Sequence, residues 1–253
     1  MTIENPYSLE GKTVLVTGAG SGIGRATSIE CSKLGATMVL VDINPDSVKE
    51  TQDMLANQEL NHQHFVCDLT DDAALDNLVS QVPTLNGLVN NAGINKLLPP
   101  NFINREDVNK IFSINTFAPI FLTQKLLRKK KIVAGASIVF TAALNGVYSS
   151  SPANSMYSAS KGAINGFMKN LALDLAAKKI RCNSVNPGMI ETDIMRQGAV
   201  SEEELEANRK KFPLGRWGKP VEIARAIIYL LSDAAEWVTG TALVIDGGVL
   251  LAR

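Results

Sequence analysis

The chain has 253 residues, 45% of them hydrophobic, and its 25 Lys and Arg residues balance 25 Asp and Glu residues. This length favours one α/β domain, and a balanced charge argues against a nucleic-acid partner, because such binding needs excess cations to displace phosphate counterions. The cysteines are widely separated, and His62 and His64 are the only histidines, which argues against a zinc site.

No apolar run approaches the roughly 20 residues that a membrane helix needs, and the first eleven residues lack an apolar signal core. We therefore expect a soluble, cytoplasmic protein that does not contact membranes. With nucleic acid and metal disfavoured as well, a small molecule is the default substrate.

Apolar runs alternate with helical patterns along the whole chain, which predicts right-handed βαβ units. The predicted strands are Thr13–Thr17, Thr37–Asp42, Phe65–Cys67, Gly87–Asn90, Ser137–Thr141, Ile180–Asn186 and Ala242–Ile245. Start signals for helices are Asn44-Pro45, Thr70-Asp71-Asp72, and Lys219-Pro220 with Glu222. The pattern predicts an α/β fold, in which residues 1–253 form a single domain with a Rossmann-like, doubly wound parallel sheet and helices on both faces.

Two segments stand outside this alternation. Met189–Leu214 is a polar, Glu-rich helical stretch beyond the carboxyl edge of the predicted sheet, where a substrate lid would lie. The basic run Arg128–Lys131 is interpreted as the solvated C-terminal end of a helix, and a docking patch for an acidic partner is the alternative.

The first predicted strand runs into a glycine-rich turn, Thr17-Gly18-Ala19-Gly20-Ser21-Gly22-Ile23-Gly24, which opens the next helix. Glycine permits a tight turn and a close approach of backbone amides to a pyrophosphate, and the helix points its amide end at the phosphates. The position between a strand and a helix therefore predicts dinucleotide binding rather than a simple turn. The expected contacts are Gly18, Ser21, Gly22, Ile23 and Gly24.

Asp42 ends the second predicted strand, where its carboxylate would accept hydrogen bonds from the adenosine ribose and repel the extra phosphate of NADP. Neither Ser21 nor Ile43 offers a cation to that phosphate, so the sequence favours NAD as the cofactor. Asp68, followed by Leu69, ends the third strand. It either accepts from the adenine amino group or serves only as a turn residue.

Further strings share the spacing of one enzyme family. They are Asn90-Asn91-Ala92-Gly93, Asn115 within a helix, Tyr157-x-x-x-Lys161, Asn186-Pro187-Gly188 with Thr192, and Thr239-Gly240 through Asp246-Gly247-Gly248. With the glycine turn, these strings resemble the short-chain dehydrogenase/reductase family over essentially the whole chain. The pattern is most similar to 3-oxoacyl-carrier-protein reductases and to sugar-alcohol and secondary-alcohol dehydrogenases. The resemblance implies a Rossmann-like homotetramer with one active site per subunit.

Tyr157 and Lys161 are four residues apart, so on a helix they would share one face, about 6 Å apart. An unperturbed tyrosine has a pKa near ~10, and a nearby ammonium and a positive nicotinamide would lower it. We predict Tyr157 as the general acid/base that exchanges a proton with the substrate while hydride moves at nicotinamide C4.

The resemblance implies roles for the other motif residues. Lys161 would hold the nicotinamide ribose as well as lower the pKa of Tyr157, and Asn115 would support a water that continues the proton relay. The remaining cofactor contacts implied are Asn91, Ala92 and Gly93 at the ribose, and Pro187, Gly188, Ile190 and Thr192 over the nicotinamide.

One position departs from the family pattern, which places a serine in a string such as I-V-N-I-S-S-x-x-G. This chain reads Ile138-Val139-Phe140-Thr141-Ala142-Ala143-Leu144-Asn145-Gly146, which puts Ala143 at the serine position. Four explanations stay open: an engineered change, a weak or specialised natural enzyme, a substitute hydroxyl from Thr141 or Ser149–Ser151, or NAD binding without turnover.

The sequence therefore predicts an NAD-dependent oxidoreductase that acts on a carbonyl compound or secondary alcohol, with its substrate and reaction direction open. One rival is a catalytically impaired sensor or scaffold that binds NAD. The other is a carrier-protein-linked reductase with Arg128–Lys131 as its docking patch, which Asp42 disfavours because those reductases usually prefer NADPH.

Overall fold

Seven strands form one sheet in the computed structural model, which describes residues 5–192, 206–207 and 209–252. The strands are β1 (Thr13–Thr17), β2 (Thr37–Asp42), β3 (Gln63–Val66), β4 (Leu85–Asn90), β5 (Ile132–Thr141), β6 (Arg181–Pro187) and β7 (Ala242–Ile245). Their order is β3-β2-β1-β4-β5-β6-β7, and every neighbouring pair is parallel. The winding direction reverses between β1 and β4, and sheets of this kind bind ligands at the carboxyl ends of the strands there.

The predicted bounds of β1, β2 and β7 are confirmed, whereas the other strands differ at their ends. β5 begins at Ile132 rather than Ser137, because the exposed Ala134 and Gly135 hide its first half from an apolar pattern. Cys67 lies beyond β3, although its N–H still donates to the Asp42 carbonyl. β4 starts earlier than predicted, and β6 is displaced by a residue at each end.

Helices cover both faces of the sheet. They are α1 (Gly22–Lys33), α2 (Pro45–Asp53), α3 (Asp72–Gln81), α4 (Arg105–Phe112), α5 (Ala118–Arg128), α6 (Ser155–Leu175) and α7 (Pro220–Leu231). The predicted start signals are confirmed: the side chains of Asn44 and Asp71 each accept from two backbone N–H groups in the first turns of α2 and α3. At α7, the Glu222 carboxylate accepts from the Lys219 N–H at 2.7 Å.

Two hydrophobic clusters lie on opposite faces of the sheet. Successive residues of β5 alternate between the two clusters. Ile138 and Phe140 lie on the side of α3, α5 and α6, whereas Val139 lies on the side of α1 and α7. This period-two division is what burial on both faces requires. The predicted doubly wound α/β fold is confirmed, and it sets the glycine turn, the end of β5 and helix α6 around one sheet edge.

Away from this edge of the sheet, few of the described side chains are candidates for a reaction. Cys31, Cys67 and Cys182 are buried free thiols, and burial raises the pKa of Cys67 to about 11 and that of Cys182 to about 12. Arg128 ends α5 and the lysines follow it, as the helix-end interpretation of the basic run expects. Within the described residues, no helix is long and apolar enough to cross a membrane, and no cluster of candidate metal ligands occurs.

The region predicted as a lid, Met189–Leu214, includes residues 193–205 and 208, which lie outside the described residues. Its start pairs with the chain just beyond its end, because Ile190 and Gly218 form a parallel bridge. The Glu191 N–H donates to the Gly218 carbonyl at 2.9 Å, and the Gly218 N–H donates to Met189 at 3.0 Å. The role of this region as a lid stays a prediction.

Candidate active site

The glycine turn packs α1 tightly against the end of β1. A Cβ at Gly24 would lie 2.0 Å from the Gly18 carbonyl oxygen, so only glycine fits there. Ser21 precedes α1 without forming a side-chain cap, although the side chains of Asn44, Asp71 and Asn104 cap α2, α3 and α4. The first N–H groups of α1 are therefore free of a side-chain acceptor, which suits a phosphate.

Arg25 supports this turn from behind, and the sequence analysis overlooked it. Its guanidinium donates to the Gly20 carbonyl at 2.6 and 2.9 Å and pairs with the Glu50 carboxylate at 2.5 Å. The signal was present, because Arg25 directly follows the last glycine of the turn. Arg25 therefore holds the backbone of the loop, and Glu50 balances its charge.

Asp42 lies beside the same turn. One carboxylate oxygen accepts from the Gly20 N–H at 2.8 Å, and the other accepts from the Asn44 N–H at 3.0 Å. The carboxylate is thus oriented by backbone donors, and each oxygen retains a lone pair for a ribose hydroxyl. Ile43 beside it is 64% exposed, which leaves an apolar surface next to this carboxylate.

Asp68 satisfies the turn interpretation. Its carboxylate accepts from the Thr70 N–H at 2.8 Å and the Thr70 hydroxyl at 2.7 Å, which fixes the turn between β3 and α3. Leu69 is half-buried against the core on the α3 side. Contact of either residue with an adenine stays a prediction.

The Asn91-Ala92-Gly93 segment is joined to the end of β1. Thr17 Oγ1 accepts from the N–H groups of Asn91 and Ala92 at 3.0 and 3.1 Å, and Asn91 Nδ2 donates to the Thr17 carbonyl at 3.0 Å. These bonds hold the segment across the switch point between β1 and β4. Gly93 then extends towards α6, where a Cβ would lie 3.3 Å from Lys161 Nζ.

Asn115 lies in a π-helical turn, Ser113–Phe117, rather than in the regular helix expected for it. Its side chain accepts from the Ile94 N–H and donates to the Ile94 carbonyl, both at 2.9 Å, and donates to Ser160 Oγ at 3.1 Å. Ser160 Oγ in turn donates to the Tyr157 carbonyl at 2.7 Å. Asn115 therefore fixes the loop after β4 against the helix that carries Tyr157. π-Turns of this kind occur frequently at functional sites.

Tyr157 and Lys161 share one face of α6, as predicted. Lys161 Nζ lies 5.8 Å from the centre of the Tyr157 ring and donates to the Thr141 carbonyl at 2.8 Å. Lys161 is only 4% exposed, whereas Tyr157 is partly exposed towards the sheet edge. The ammonium therefore lies at the meeting point of β5, α6 and Gly93.

The expected lowering of the tyrosine pKa does not follow from the protein groups alone. Burial raises the pKa of Tyr157 to about 12 and lowers the pKa of Lys161 to about 8. Although part of the Tyr157 ring is accessible, its surroundings are desolvated, and desolvation disfavours the charged form of each group. Desolvation is therefore the cause of both shifts.

The loop after β6 approaches the glycine turn from the other side. The Gly188 N–H donates to the Ile245 carbonyl at 2.9 Å, and Ile190 is 8% exposed. A Cβ at Gly22 would lie 3.3 Å from Thr192 Cγ2, so this loop lies directly over the start of α1. Pro187, Gly188, Ile190 and Thr192 are thus gathered with the glycine turn at one sheet edge.

The family model described as enoyl-(acyl carrier protein) reductase matches residues 18–250. The chain belongs to the short-chain dehydrogenase/reductase family. It is 33% identical to the 3-oxoacyl-[acyl-carrier-protein] reductase FabG of Rickettsia bellii, over 96% of this chain and 98% of that protein.

Two solved structures of short-chain dehydrogenases/reductases superpose over nearly the whole chain. A putative 2-deoxy-D-gluconate 3-dehydrogenase from Agrobacterium tumefaciens with bound NADP has a TM-score of 0.86 and 33% identity, and covers 99% of this chain and 100% of its own. The 3-ketoacyl-(acyl-carrier-protein) reductase from Brucella melitensis complexed with NADH has a TM-score of 0.86 and 30% identity. It covers 96% of this chain and 100% of its own.

The position at which this short-chain dehydrogenase/reductase carries Ala143 lies between two fixed points. The Ala142 N–H donates to Val185 at 2.9 Å and the Leu144 N–H donates to Pro187 at 3.1 Å. Gly146 then contacts α6, where a Cβ would lie 2.0 Å from the Ser158 carbonyl. The assignment of Ala143 to the family's serine position stays a prediction.

The sequence left two sources of a replacement hydroxyl open, Thr141 and Ser149–Ser151. Thr141 is 8% exposed, its carbonyl contacts Lys161, and its Oγ1 is buried with no hydrogen-bond partner among the described residues. Ser151 Oγ instead accepts from Asn145 Nδ2 and Asn154 Nδ2, at 2.9 and 3.2 Å. Within the described residues, the Thr141 hydroxyl is therefore a candidate without a hydrogen-bond partner.

Proposed function

We propose that this protein is an NAD-dependent oxidoreductase that transfers hydride between nicotinamide and a carbonyl or secondary-alcohol substrate. The observation that carries the proposal is the buried Lys161 ammonium, 5.8 Å from the Tyr157 ring centre and adjacent to Gly93 at the cofactor edge of the sheet. Membership of an oxidoreductase family supports it.

The cofactor would be held by groups that the fold already gathers. The N–H groups at the start of α1, which Ser21 does not cap, suit the pyrophosphate. Asp42 would bind the adenosine ribose. Lys161 would bind the nicotinamide ribose together with Asn91–Gly93. The loop Pro187–Thr192 would cover the nicotinamide. When bound, NAD supplies the hydride acceptor, and NADH the hydride donor.

Proton transfer falls to Tyr157, whose hydroxyl would take a proton from an alcohol or give one to a carbonyl oxygen. Lys161 Nζ lies 5.8 Å from the ring centre and would favour the phenolate when protonated. Support of a relay water by Asn115 stays a prediction. The side chain of Asn115 is bonded to Ile94 and Ser160, which fixes the loop after β4 against α6. Asn115 is thus a positioning residue.

The preference for NAD over NADP is supported by charge. Asp42 places a carboxylate where the extra phosphate of NADP would lie, and Arg25 is already paired with Glu50. Solved relatives include one with NADP and one with NADH, so the family alone does not choose between them.

Ala143 favours a second candidate, a protein that binds NAD without turnover. A missing hydrogen-bond donor to the reacting oxygen commonly costs on the order of 3 kcal/mol of transition-state stabilisation. The intact Tyr157, Lys161 and Asn115 favour the enzyme, because a sensor needs no acid/base group.

A homotetramer and a cytoplasmic location complete the proposal. Phe117, Phe121 and Leu173 on the α5 and α6 side are 47%, 48% and 78% exposed, which offers an apolar surface for subunit contact. The three buried free thiols suit a reducing compartment. Light scattering at micromolar concentration would report a monomer if the assembly proposal is wrong.

The proposed function is tested with a panel of alcohols and carbonyl compounds, assayed by NADH absorbance. Tyr157→Phe removes one hydroxyl and should abolish turnover while leaving NAD affinity within about twofold. Lys161→Ala should damage both, because it serves the tyrosine and the ribose. Retention of most activity by Tyr157→Phe would refute the assigned acid/base role.

A further inference from the structure

Two oppositely charged side chains bond to the same residue of the glycine turn. The Gly20 N–H donates to the Asp42 carboxylate at 2.8 Å, and the Gly20 carbonyl accepts from Arg25 Nη2 and Nε at 2.6 and 2.9 Å. Only the backbone of one residue therefore separates the guanidinium from the carboxylate. Under the proposed function the adenosine ribose binds at this carboxylate, so the charges around Gly20 act on the cofactor.

A third charged side chain reaches the same place from α2. Glu50 Oε2 accepts from Arg25 Nη2 at 2.5 Å, and Nη2 also donates to the Ser47 carbonyl at 3.4 Å. Helix α2 packs directly against the turn, because a Cβ at Gly20 would lie 2.4 Å from Ser47 Oγ. The three charged side chains thus form one cluster around Gly20.

This cluster carries a net negative charge. Asp42 and Glu50 contribute two negative charges and Arg25 one positive charge, so one negative charge remains. The Arg25 side chain is mostly buried, and among the described residues Glu50 is the one carboxylate that forms a salt bridge with it. If Glu50 were neutral, the guanidinium would offset Asp42, because opposite charges close together largely cancel each other's field at a third site.

The other charged side chains of α2 leave this balance unchanged. Lys49 and Asp53 form an ion pair one turn apart, so their charges offset each other. Asp46 is exposed in the first turn, and its carboxylate bonds to no member of the cluster within the described residues. Glu50 is therefore the acidic side chain through which α2 acts on the glycine turn.

We propose that Glu50 is a second determinant of the preference for NAD over NADP and acts together with Asp42. By neutralising Arg25, Glu50 keeps the cluster negative, and a negative cluster repels the additional phosphate of NADP, whose charge is about −1.5 to −2. Without Glu50, the guanidinium would favour that phosphate. This inference rests on the proposed function, in which Asp42 binds the adenosine ribose.

The test measures dissociation constants for NADH and NADPH by fluorescence titration, without any substrate. Arg25→Met leaves two negative charges in the cluster, the parent has one, and Glu50→Gln has none. We expect the affinity for NADPH relative to NADH to rise in that order, by at least ~3-fold per step. Combining Asp42→Ser with Glu50→Gln leaves one positive charge and should raise the ratio further. The ratio is the readout because damage to the turn weakens both cofactors alike.

Two control variants separate charge in the cluster from other effects. Asp53→Asn removes the same charge from α2 and breaks the ion pair with Lys49, but should leave the ratio within about 1.5-fold of the parent. Arg25→Lys keeps the positive charge and should retain the parent ratio within about twofold, even where both affinities fall. Added salt should bring the ratios of all variants closer together, since it screens charges.

An unchanged ratio in Glu50→Gln, or an equal change in Asp53→Asn, would overturn the inference. So would a ratio in Arg25→Met that equals or exceeds that of the parent. In each case a parent that binds NADH more tightly than NADPH would still support the proposed function. Binding of neither cofactor by the parent would refute the proposed function and this inference together.

Discussion

Gly146 packs backbone to backbone against Ser158, so closely that a Cβ at Gly146 would lie 2.0 Å from the Ser158 carbonyl oxygen. Gly146 also has a φ of 92°, in the region that favours glycine. The contact joins the loop that carries Ala143 to the helix turn next to Tyr157. The distance between the Ala143 loop and Tyr157 therefore depends on the absence of a side chain at Gly146.

Gly146→Ala should consequently destabilise the protein by more than the backbone strain alone. Gly135→Ala is the control, because Gly135 has a similar φ of 80° and nothing within 4 Å of its Cβ position. We expect Gly146→Ala to cost at least ~1 kcal/mol more than Gly135→Ala, measured by urea denaturation. Equal costs would show that the loop moves away from α6 without penalty.

Asp42 should set the cofactor preference. NADH should bind at least about tenfold more tightly than NADPH, a difference of ~1.4 kcal/mol, because the carboxylate repels the additional phosphate. Asp42→Ser should narrow this ratio, and Asp46→Ser, which removes an exposed carboxylate in the first turn of α2, should not. Fluorescence titration with both cofactors measures the ratio, and equal affinities in the parent would contradict the assignment.

Lys161 should make stability depend on pH. Burial lowers its pKa to about 8 in the folded chain, whereas the unfolded chain keeps the ordinary value of 10.5. Between these values the unfolded chain binds more protons, so stability rises with pH, by about 1.4 kcal/mol per unit of pKa difference. This stabilisation is lost as the pH falls through about 8.

Lys161→Met removes the titrating group, so its unfolding free energy should rise less than that of the parent between roughly pH 7 and pH 9.5. This interval stays below the range from 10 to about 12 in which Tyr157 titrates. Urea denaturation at both pH values gives the difference. Parallel pH profiles for parent and variant would mean that the ammonium is already well solvated.

Ala143→Ser should restore the donor that the family pattern places at this position. The change adds one hydroxyl to the smallest chiral side chain, at a loop position that is 7% exposed. We expect kcat/KM to rise by at least ~10², with NAD affinity unchanged, because the family resemblance directs this position to the substrate rather than to the dinucleotide. Steady-state kinetics and NADH titration check both parts.

A rate unchanged by Ala143→Ser would indicate that another group fills the role, and the unpaired Thr141 hydroxyl is the first candidate. Thr141→Val would then reduce activity in the parent chain. Ala142→Ser tests the neighbouring alignment, in which the serine position is shifted by one residue.

Periodicity and turn residues were sufficient to predict the sheet, because apolar runs, helix caps and glycines act over short distances. Asn44 and Asp71 cap their helices as predicted, and Tyr157 and Lys161 share a face because helix geometry requires it. Contacts between distant segments were not predictable in this way. The bonds from Asn115 to Ile94 and Ser160 depend on how loops meet in space.

The pKa of Tyr157 is a second property that the sequence pattern did not predict. Spacing predicts that an ammonium lies near Tyr157, but it does not give the desolvation that opposes ionisation of both groups. Arg25 was overlooked for a similar reason, since its partner Glu50 lies on a separate element of the fold.

The π-turn at Ser113–Phe117 divides one continuous helical rod into two parts whose sides are out of phase. A regular helix advances 100° per residue, so Ile111, Asn115, Leu122 and Leu126 would share one face if the rod were regular throughout. The π-turn accommodates one more residue than a regular turn and offsets the residues after it by about that angle, so Asn115 bonds to Ser160 of α6 while Leu122 and Leu126 pack in the core. A change that restored regular turns here without removing a residue would rotate α5 against Asn115, so that both could no longer meet their neighbours.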